Sequence, residues 1–220
     1  MGDLGTREVK DRSGWRLGDM GIPGLEIVRH VELSVDAATA RATCTEYHRT
    51  TVLPRGVSVL RFGQPFLDAV AMARSARTAR TFLRFDAEGE SGWLAVDEIG
   101  HVIGHCWRLD NRGKSVVKRQ VPILPGWSWL QYEWTAPAWR GQGIMPALLS
   151  MSIREALAQP TWFVQGFLTD IAVTNHASQR SSAKVGFAPV ACVTSLCVYR
   201  RWFLLHSEHV GDAMTQDISV

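Results

Sequence analysis

The sequence predicts a mixed α/β fold built around a large hydrophobic core. Hydrophobic residues make up 46% of the 220 residues and charged residues 20%, a balance that permits a sizeable core and argues against disorder. Short β-prone segments occupy the middle of the chain, and helices alternate with strands towards its end. We therefore expect a sheet covered by helices, either as one domain of generous size or as one domain with an extension.

The first half of the chain alternates between strand and helix patterns. A loop-rich lead-in over residues 1–23 precedes a β-prone segment at 25–34. Asp36 is a predicted N-cap, because its short carboxylate side chain can accept hydrogen bonds from the first turn of a helix over 37–44. We also expect a strand at 57–62, a helix at 64–76 from the spacing of its apolar residues, and a strand at 81–85.

The second half predicts a meander of strands followed by alternating helices and strands. Turn residues at 110–113 and 125–126 separate the strands, and Pro160 ends the main helix. The tail after Ser207 is polar. In order, we expect strands at 92–96, 101–109 and 127–135, a helix at 145–158, a strand at 162–173, a helix at 177–184, and final strands at 190–193 and 196–205.

Charge and cysteine usage argue against several functional classes. The formal net charge is +3, and the arginines from Arg74 to Arg84 are spaced among apolar residues, which is typical of a solvated helix face and not of a nucleic-acid-binding arm. We expect no membrane span and no signal peptide, because no apolar segment is long enough. The four cysteines form no CxxC pair, which favours buried free thiols in a reducing cytoplasm.

Two histidines and a cysteine raise the question of a metal site. His101, His105 and Cys106 lie on one predicted strand, and no distant pair of ligands completes the set. We therefore expect packed strand residues and no metal.

A glycine-rich turn between a strand and a helix is the most informative stretch of the sequence. Gly141 and Gly143 flank Gln142, so the backbone can bend sharply and leave its N–H groups unshielded. Pro146 suits the first turn of a helix, whose free N–H groups and dipole attract anions, and Arg140 adds a positive charge. The pattern predicts a phosphate-binding turn, with an ordinary strand-to-helix connection as the alternative. It lacks the third glycine of a Rossmann fingerprint and the Gly-Lys-Ser/Thr of a Walker loop.

A second motif follows the next predicted strand. Asn175 and Ser178 are helix-capping residues, and Gly186 before Phe187 is typical of a helix that ends in the left-handed conformation. Taken alone, this motif indicates a short, well-capped helix.

Together the two motifs resemble the signatures of the GCN5-related N-acetyltransferases. The first is Thr135-x-Pro137-x-x-Arg140-Gly-Gln-Gly143, and the second runs from Asn175-x-x-Ser178 to Lys184-x-Gly186-Phe187. The resemblance covers residues 57–205 in element order. It implies a mixed, mostly antiparallel sheet flanked by helices, with central strands that splay apart. It assigns 56–207 to an acyltransferase domain and 208–220 to a tail, and 1–55 is either an N-terminal extension or early elements of the same domain.

The resemblance further implies acetyl-CoA or another acyl-CoA as co-substrate. The pyrophosphate would meet the backbone N–H groups of residues 139–145, and the pantetheine arm would lie between the splayed strands as an added strand would. Met145 departs from the signature, where a small residue is usual. The implied cofactor-binding residues are Trp134, Thr135, Arg140, Gly141, Gln142, Gly143, Ile144, Met145, Asn175, Ser178 and Lys184.

Direct acyl transfer to a primary amine is the implied reaction, and the proton-transferring residues are left open. Glu133 is the first candidate for the base and Asp170 the second, with a surface carboxylate or an ion-pair partner as the alternative for each. Ser182 stands where many members of the family carry the tyrosine that protonates the leaving thiolate. Because a serine hydroxyl is a poor acid, a non-catalytic acyl-CoA-binding or regulatory module is the alternative function.

The acceptor side is the least defined part of the sequence. Alternation along a strand predicts that Trp127, Trp129, Gln131 and Glu133 share one face, and such a face can line a pocket for a flat or apolar substrate. Large aromatic residues more often belong to the core. We expect the partners to be an acyl-CoA and the amine of a small molecule or peptide, without nucleic acid or membrane, and a homodimer is left open.

Overall fold

A computed structural model describes residues 25–113, 116–118, 121–160, 162–198 and 201–210. The predicted loop-rich lead-in lies outside these residues, as does most of the predicted tail. The helices and strands are β1 (Leu25–Asp36), α1 (Ala37–Thr50), β2 (Ser58–Arg61), α2 (Leu67–Ala73), α3 (Ala76–Ala87), β3 (Ser91–Val96), β4 (Val102–Asp110), β5 (Val116–Lys118), β6 (Val121–Ile123), β7 (Trp127–Thr135), α4 (Ile144–Leu157), β8 (Gly166–Ala172), α5 (His176–Ala183), β9 (Ala188–Val198) and β10 (Arg201–His209).

Eight strands form the main sheet, in the order β10-β9-β1-β8-β7-β4-β3-β2. Every neighbouring pair in this sheet is antiparallel except β7 and β8, which are parallel. The expected mixed, mostly antiparallel sheet is confirmed. Strand β1 lies between β9 and β8, so the first described strand is an interior strand of the sheet. Strands β5 and β6, which we did not predict, form a separate hairpin.

Helices cover the sheet on two faces. Trp93 and Ala95 of β3 belong to the core cluster formed with α1 and α4, whereas Leu94 between them belongs to the cluster formed with α2 and α3. Successive side chains of a strand point to opposite faces, so the two clusters lie on opposite sides of the sheet. Helix α4 is central to the first cluster, and its Leu148, Leu149 and Ile153 are fully buried.

One predicted strand is wrong. Residues 81–85 belong to helix α3, which begins after Ser75, whose hydroxyl accepts a hydrogen bond from the Thr78 N–H at 3.1 Å. Ala79, Phe82 and Phe85 are the buried residues of this helix, at the three-residue spacing of one helix face. The alternation of aromatic and polar residues over a few positions resembled a strand, but the cap and the longer spacing favour the helix.

Most other elements are confirmed, with shifted ends. Strand β7 has the predicted bounds, α4 and α5 each begin one residue earlier, and Asp36 caps α1 by accepting from Ala38 and Thr39 N–H at 2.9 Å. Strand β8 is shorter than predicted, and the helix at 64–76 consists of a 3-10 turn followed by α2. The predicted break at 194–195 between the last two strands is wrong, because β9 continues to Val198, and β10 extends past Ser207.

The cysteines are free, as expected, although burial separates them into two pairs. Cys44 and Cys106 are buried, whereas Cys192 and Cys197 are partly exposed. Among the described residues, no helix is long and apolar enough to cross a membrane. The described residues also contain no group of three His, Cys, Asp or Glu side chains that could hold a metal ion.

Candidate active site

The two parallel strands at the middle of the sheet separate along their length. Their pairing runs from Trp127 opposite Gly166 to Leu130 opposite Thr169 and stops there, although β7 continues to Thr135 and β8 to Ala172. The expected splay of the central strands is therefore present. Backbone groups on the diverging strand ends face a gap in which an extended ligand can take the place of a strand.

A bulge in β7 changes which side chains face this gap. Tyr132 has a φ of 56°, a left-handed conformation that is unusual for a residue with a large side chain, and the register between β4 and β7 shifts between His105 and Trp107. Gln131 donates a hydrogen bond to Glu90, whereas Glu133 accepts one from Thr169 of β8.

The single aromatic face that we predicted is therefore wrong. A bulge inserts a residue, so alternation no longer holds across it. Trp127, Trp129 and Gln131 precede the bulge, while Glu133 follows it and lies with Thr169 at the splayed edge. Trp129 is a buried residue, as aromatic side chains on strands commonly are.

Two glycines shape the turn at the end of the cleft. Gly141 and Gly143 have φ of 76° and 79°, values that glycine adopts without strain, and α4 begins directly after them. Within the part of the chain that the structure describes, the N–H groups of Gly141 and Gly143 donate no backbone hydrogen bond. These groups and the first turn of α4 form an arrangement suited to a phosphate.

Side chains brace this turn from both ends. The Arg140 side chain donates to the carbonyl oxygen of Thr135 at 3.3 Å, and the Gln142 amide donates to that of Ala138 at 3.1 Å. The Tyr47 hydroxyl of α1 donates to the carbonyl oxygen of Gly143 at 2.9 Å. No sequence pattern indicates a role for Tyr47, because its partner Gly143 lies 96 positions away in the chain.

A cleft of about 440 Å³ extends from the splayed strands to the turn. It brings together nearly all the residues that we expected to hold a cofactor. Of these, Gln142 instead lines a neighbouring cavity of about 490 Å³ next to Tyr47, and Gly143 and Lys184 line both spaces. The predicted residues that line the cleft are Glu133, Trp134, Thr135, Arg140, Gly141, Gly143, Ile144, Met145, Asn175, Ser178 and Lys184.

Glu133 has the electrostatic character of a general base. Its Oε1 accepts a hydrogen bond from the Thr169 hydroxyl at 3.2 Å. Burial raises the pKa of Glu133 to about 7; the charge of Asp170 adds to this rise and the bond from Thr169 opposes it. A carboxyl group that titrates near neutral pH can exchange a proton at working pH.

The other two predicted catalytic residues lie outside the cleft lining. Asp170 stands opposite Glu32 of β1, and burial together with the Asp170 charge raises the pKa of Glu32. Ser182 is fully buried, and its hydroxyl has no hydrogen-bond partner among the described residues. Ser182 does not line the cleft, whereas Ser178 and Ser181 of the same helix do.

Two side chains contact Trp134 of the cleft, and the sequence assigns neither of them to the site. Arg74, at the end of α2, lies 4.4 Å from the ring centroid of Trp134 and lines the cleft. His105 of β4 stacks on Trp134, with ring centroids 5.4 Å apart. No sequence motif includes Arg74, which is exposed as predicted and also lies over the Trp134 ring. The prediction that His105 is a packed strand residue is confirmed, because its side chain is 1% exposed.

No protein-family profile matches the sequence, and no curated protein does either. Solved structures do match. A tandem GNAT protein from the clavulanic acid biosynthesis pathway is similar with a TM-score of 0.57 and 17% identity, over 89% of this chain and 57% of that one. A GCN5-related glucosamine N-acetyltransferase region of a fungal multi-domain β-N-acetylglucosaminidase is similar with a TM-score of 0.53 and 10% identity, over 76% and 20% of the two chains.

A functionally unknown conserved protein from Staphylococcus epidermidis is also similar, with a TM-score of 0.51 and 6% identity over 83% of this chain and 65% of that one. The chain thus spans less than two thirds of each of these three structures. At such identities the likeness is one of architecture. Together with the splayed strands and the glycine turn, it shows that the chain has the fold of the GCN5-related N-acetyltransferases.

Proposed function

We propose that the chain is an acyl-CoA-dependent N-acyltransferase that transfers the acetyl group of acetyl-CoA to a primary amine of a small molecule or peptide. The observation that carries this proposal is the opening between β7 and β8, which leads from the Glu133 carboxyl to the turn at Gly141–Gly143. An extended, amide-containing arm fits between splayed strands, and a diphosphate fits the free N–H groups of the turn.

Charges along the cleft suit the anionic end of coenzyme A. Arg140 lies beside the turn and Lys184 lies at the end of α5, where the cleft meets the neighbouring cavity. The N–H groups of the turn and of the first residues of α4 supply uncharged donors between them. Asn175 and Ser178 line the cleft at the start of α5, where they would contact a bound cofactor.

Glu133 acts as the base in this proposal. Its carboxylate takes a proton from the acceptor ammonium, directly or through a water molecule. The free amine nitrogen then forms a bond to the thioester carbonyl carbon, and a backbone N–H near Thr135 stabilises the oxyanion. The C–S bond breaks, the attacking nitrogen loses its second proton, and that proton passes through water to the thiolate, so the amide and the thiol form of coenzyme A are released. Asp170 acts through its charge, which raises the pKa of Glu133.

A second candidate function is a non-catalytic acyl-CoA-binding or regulatory module. The burial of the Ser182 hydroxyl favours it, because no side chain from that position reaches the cleft to protonate a leaving thiolate. Both functions use the same cofactor site and differ in turnover.

The test combines calorimetric binding of coenzyme A with thiol release from acetyl-CoA in the presence of amino sugars, polyamines, amino acids and peptides. Gly143→Val should abolish binding, because Gly143 has a φ of 79° and a Cβ there would lie 3.2 Å from the Tyr47 hydroxyl. Gly100→Val is the matched control: its φ of 86° imposes the same backbone strain with no atom within 4 Å of the added Cβ. Binding without turnover on any amine would favour the non-catalytic module, and unchanged binding by Gly143→Val would refute the cofactor site.

A further inference from the structure

A buried histidine is bonded to the bulge in β7. His105 is 1% exposed, and its Nδ1 lies 2.7 Å from the carbonyl oxygen of Tyr132. A carbonyl oxygen can only accept, so Nδ1 carries the proton and donates it. The bond spans two adjacent strands at the position where their register shifts.

The histidine stays neutral at working pH. Burial lowers the pKa of His105 to about 3, the charge of Arg74 lowers it further, and the bond to Tyr132 opposes the change. The ring therefore keeps a single proton, and the bond to the carbonyl oxygen fixes that proton on Nδ1. His105 is thus a permanent donor and is not suited to act as a base itself.

The bonded residue holds an unusual conformation. Tyr132 has a φ of 56°, which is strained for any residue with a bulky side chain. Such a conformation persists only where its surroundings hold it. Here they are the His105 bond and edge contacts of the Tyr132 ring with Phe82 and Phe85, at centroid distances of 6.0 and 5.3 Å. The next residue along the strand is Glu133, which the bulge directs to Thr169.

We propose that His105 is a positioning residue: its Nδ1–H bond to the Tyr132 carbonyl holds the β7 bulge and thereby keeps the Glu133 carboxyl in the cleft. The catalytic consequence rests on the proposed function, in which Glu133 is the base. The placement of Glu133 itself requires no turnover. Simple packing is the competing explanation, since the His105 ring also contacts Phe82 at 4.8 Å and Trp134 at 5.4 Å between centroids.

Two amide variants of His105 distinguish the hydrogen bond to the Tyr132 carbonyl from the packing of the imidazole ring. In His105→Asn, the side-chain nitrogen lies at the position of Nδ1 and can donate to the Tyr132 carbonyl. In His105→Gln, the amide lies one bond further out, near the position of Nε2. Both variants are uncharged and polar, so differences in burial cost are small compared with the loss of the bond.

Two readouts are measured on each variant. The first is the titration of the Glu133 carboxyl, followed by carbon-13 NMR in the absence of substrate. We expect the wild type and His105→Asn to titrate near pH 7, and His105→Gln to shift towards the ordinary value of 4.5 as Glu133 becomes solvated. The second is steady-state kinetics: His105→Gln should lower kcat about 10²-fold, the order of a lost general base, with KM for acetyl-CoA unchanged.

A second substitution guards against loss of folding. Glycine adopts a φ of 56° freely, so Tyr132→Gly in the His105→Gln background should restore both the titration of Glu133 and the fold. Equal titrations for the Asn and Gln variants, or no restoration by Tyr132→Gly, would overturn the positioning role. If the wild type acetylates no amine while the two variants still titrate differently, the proposed function fails and the positioning role stands.

Discussion

The Tyr47 hydroxyl donates a hydrogen bond to the carbonyl oxygen of Gly143 at 2.9 Å, which joins helix α1 to the glycine turn. The two residues are 96 positions apart in the chain. Helix α1 therefore contributes to the shape of the proposed pyrophosphate site, although its sequence carries no part of the resemblance. Its Thr43 and Thr50, with Thr51 directly after it, line the cavity beside the turn.

Tyr47→Phe should weaken the binding of coenzyme A without preventing folding. The substitution removes one hydrogen bond that holds the turn, worth about 1 kcal/mol, so we expect the Kd to rise about fivefold. Isothermal titration calorimetry measures the change. Thr45→Val on the same helix is the control, because the exposed Thr45 hydroxyl bonds only to the Arg41 carbonyl of α1 among the described residues. An equal rise in both variants would show that α1 acts through general stability.

Local signals predicted the glycine turn and the capped start of α5. The paired glycines, Pro146 and the capping residue Asn175 each act within a few residues of their own position, and the structure has a turn or a helix start at each. Neither the Tyr47 bond nor the bulge at Tyr132 could be predicted in this way. The Tyr47 bond joins two elements that are far apart in the chain. The bulge gives a left-handed φ to a tyrosine, whereas sequence patterns predict that conformation at glycine.

The pH dependence of activity should report the titration of Glu133. Only the carboxylate form can accept a proton, so kcat/KM should rise with pH through about 7 and then level off. Glu133→Gln should lower kcat/KM about 10²-fold and remove this rise. The acceptor amine in this assay should have a pKa well away from neutral pH, so that its own titration is not confused with that of Glu133. A rise that persists in Glu133→Gln would assign it to another group.

The free energy of unfolding should also depend on the titration of Glu133, but this contribution should fall as the pH rises. Because the pKa of Glu133 is raised in the folded state, the folded protein binds the proton more tightly than the unfolded chain does. This contribution to stability is fully present below pH 4.5 and is lost as the pH rises through about 7. Thermal melts from pH 4 to 9 should therefore show Glu133→Gln gaining Tm relative to the wild type towards high pH. A constant difference would contradict the raised pKa.

Two neighbouring serines on α5 should respond differently to alanine. The Ser182 hydroxyl is buried and has no hydrogen-bond partner among the described residues, so Ser182→Ala should leave kcat and KM within about twofold and leave Tm unchanged or higher. Ser181 lines the cleft, so Ser181→Ala should alter KM for acetyl-CoA or kcat. Steady-state kinetics on both variants checks this. A large loss of kcat in Ser182→Ala alone would restore Ser182 as the proton donor.

A buried arginine should make a large contribution to stability. Arg108 of β4 is 1% exposed, with its Nε 2.7 Å from Asp110 and its Nη2 3.0 Å from Glu155 of α4. Arg108→Met would leave these two carboxylates without their buried partner, so we expect the free energy of unfolding to fall by about 3–5 kcal/mol. Arg112→Met is the control, since the exposed Arg112 lies 3.7 Å from Asp110 and should contribute no more than about 1 kcal/mol.

Urea unfolding of the wild type, Arg108→Met and a triple variant distinguishes the loss of charge pairing from the loss of side-chain packing. If the cost of Arg108→Met comes from unpaired carboxylates, adding Asp110→Asn and Glu155→Gln to it should recover part of the stability, because removing a whole buried ion group is far less costly than removing one member. If the cost comes from lost side-chain packing, the triple variant should be no more stable than Arg108→Met. Helix α4 carries Glu155 and begins at the glycine turn, so Arg108 also connects β4 to the helix that follows this turn. If this connection holds the turn in place, Arg108→Met should bind coenzyme A more weakly than the wild type. The triple variant should then recover part of the lost affinity.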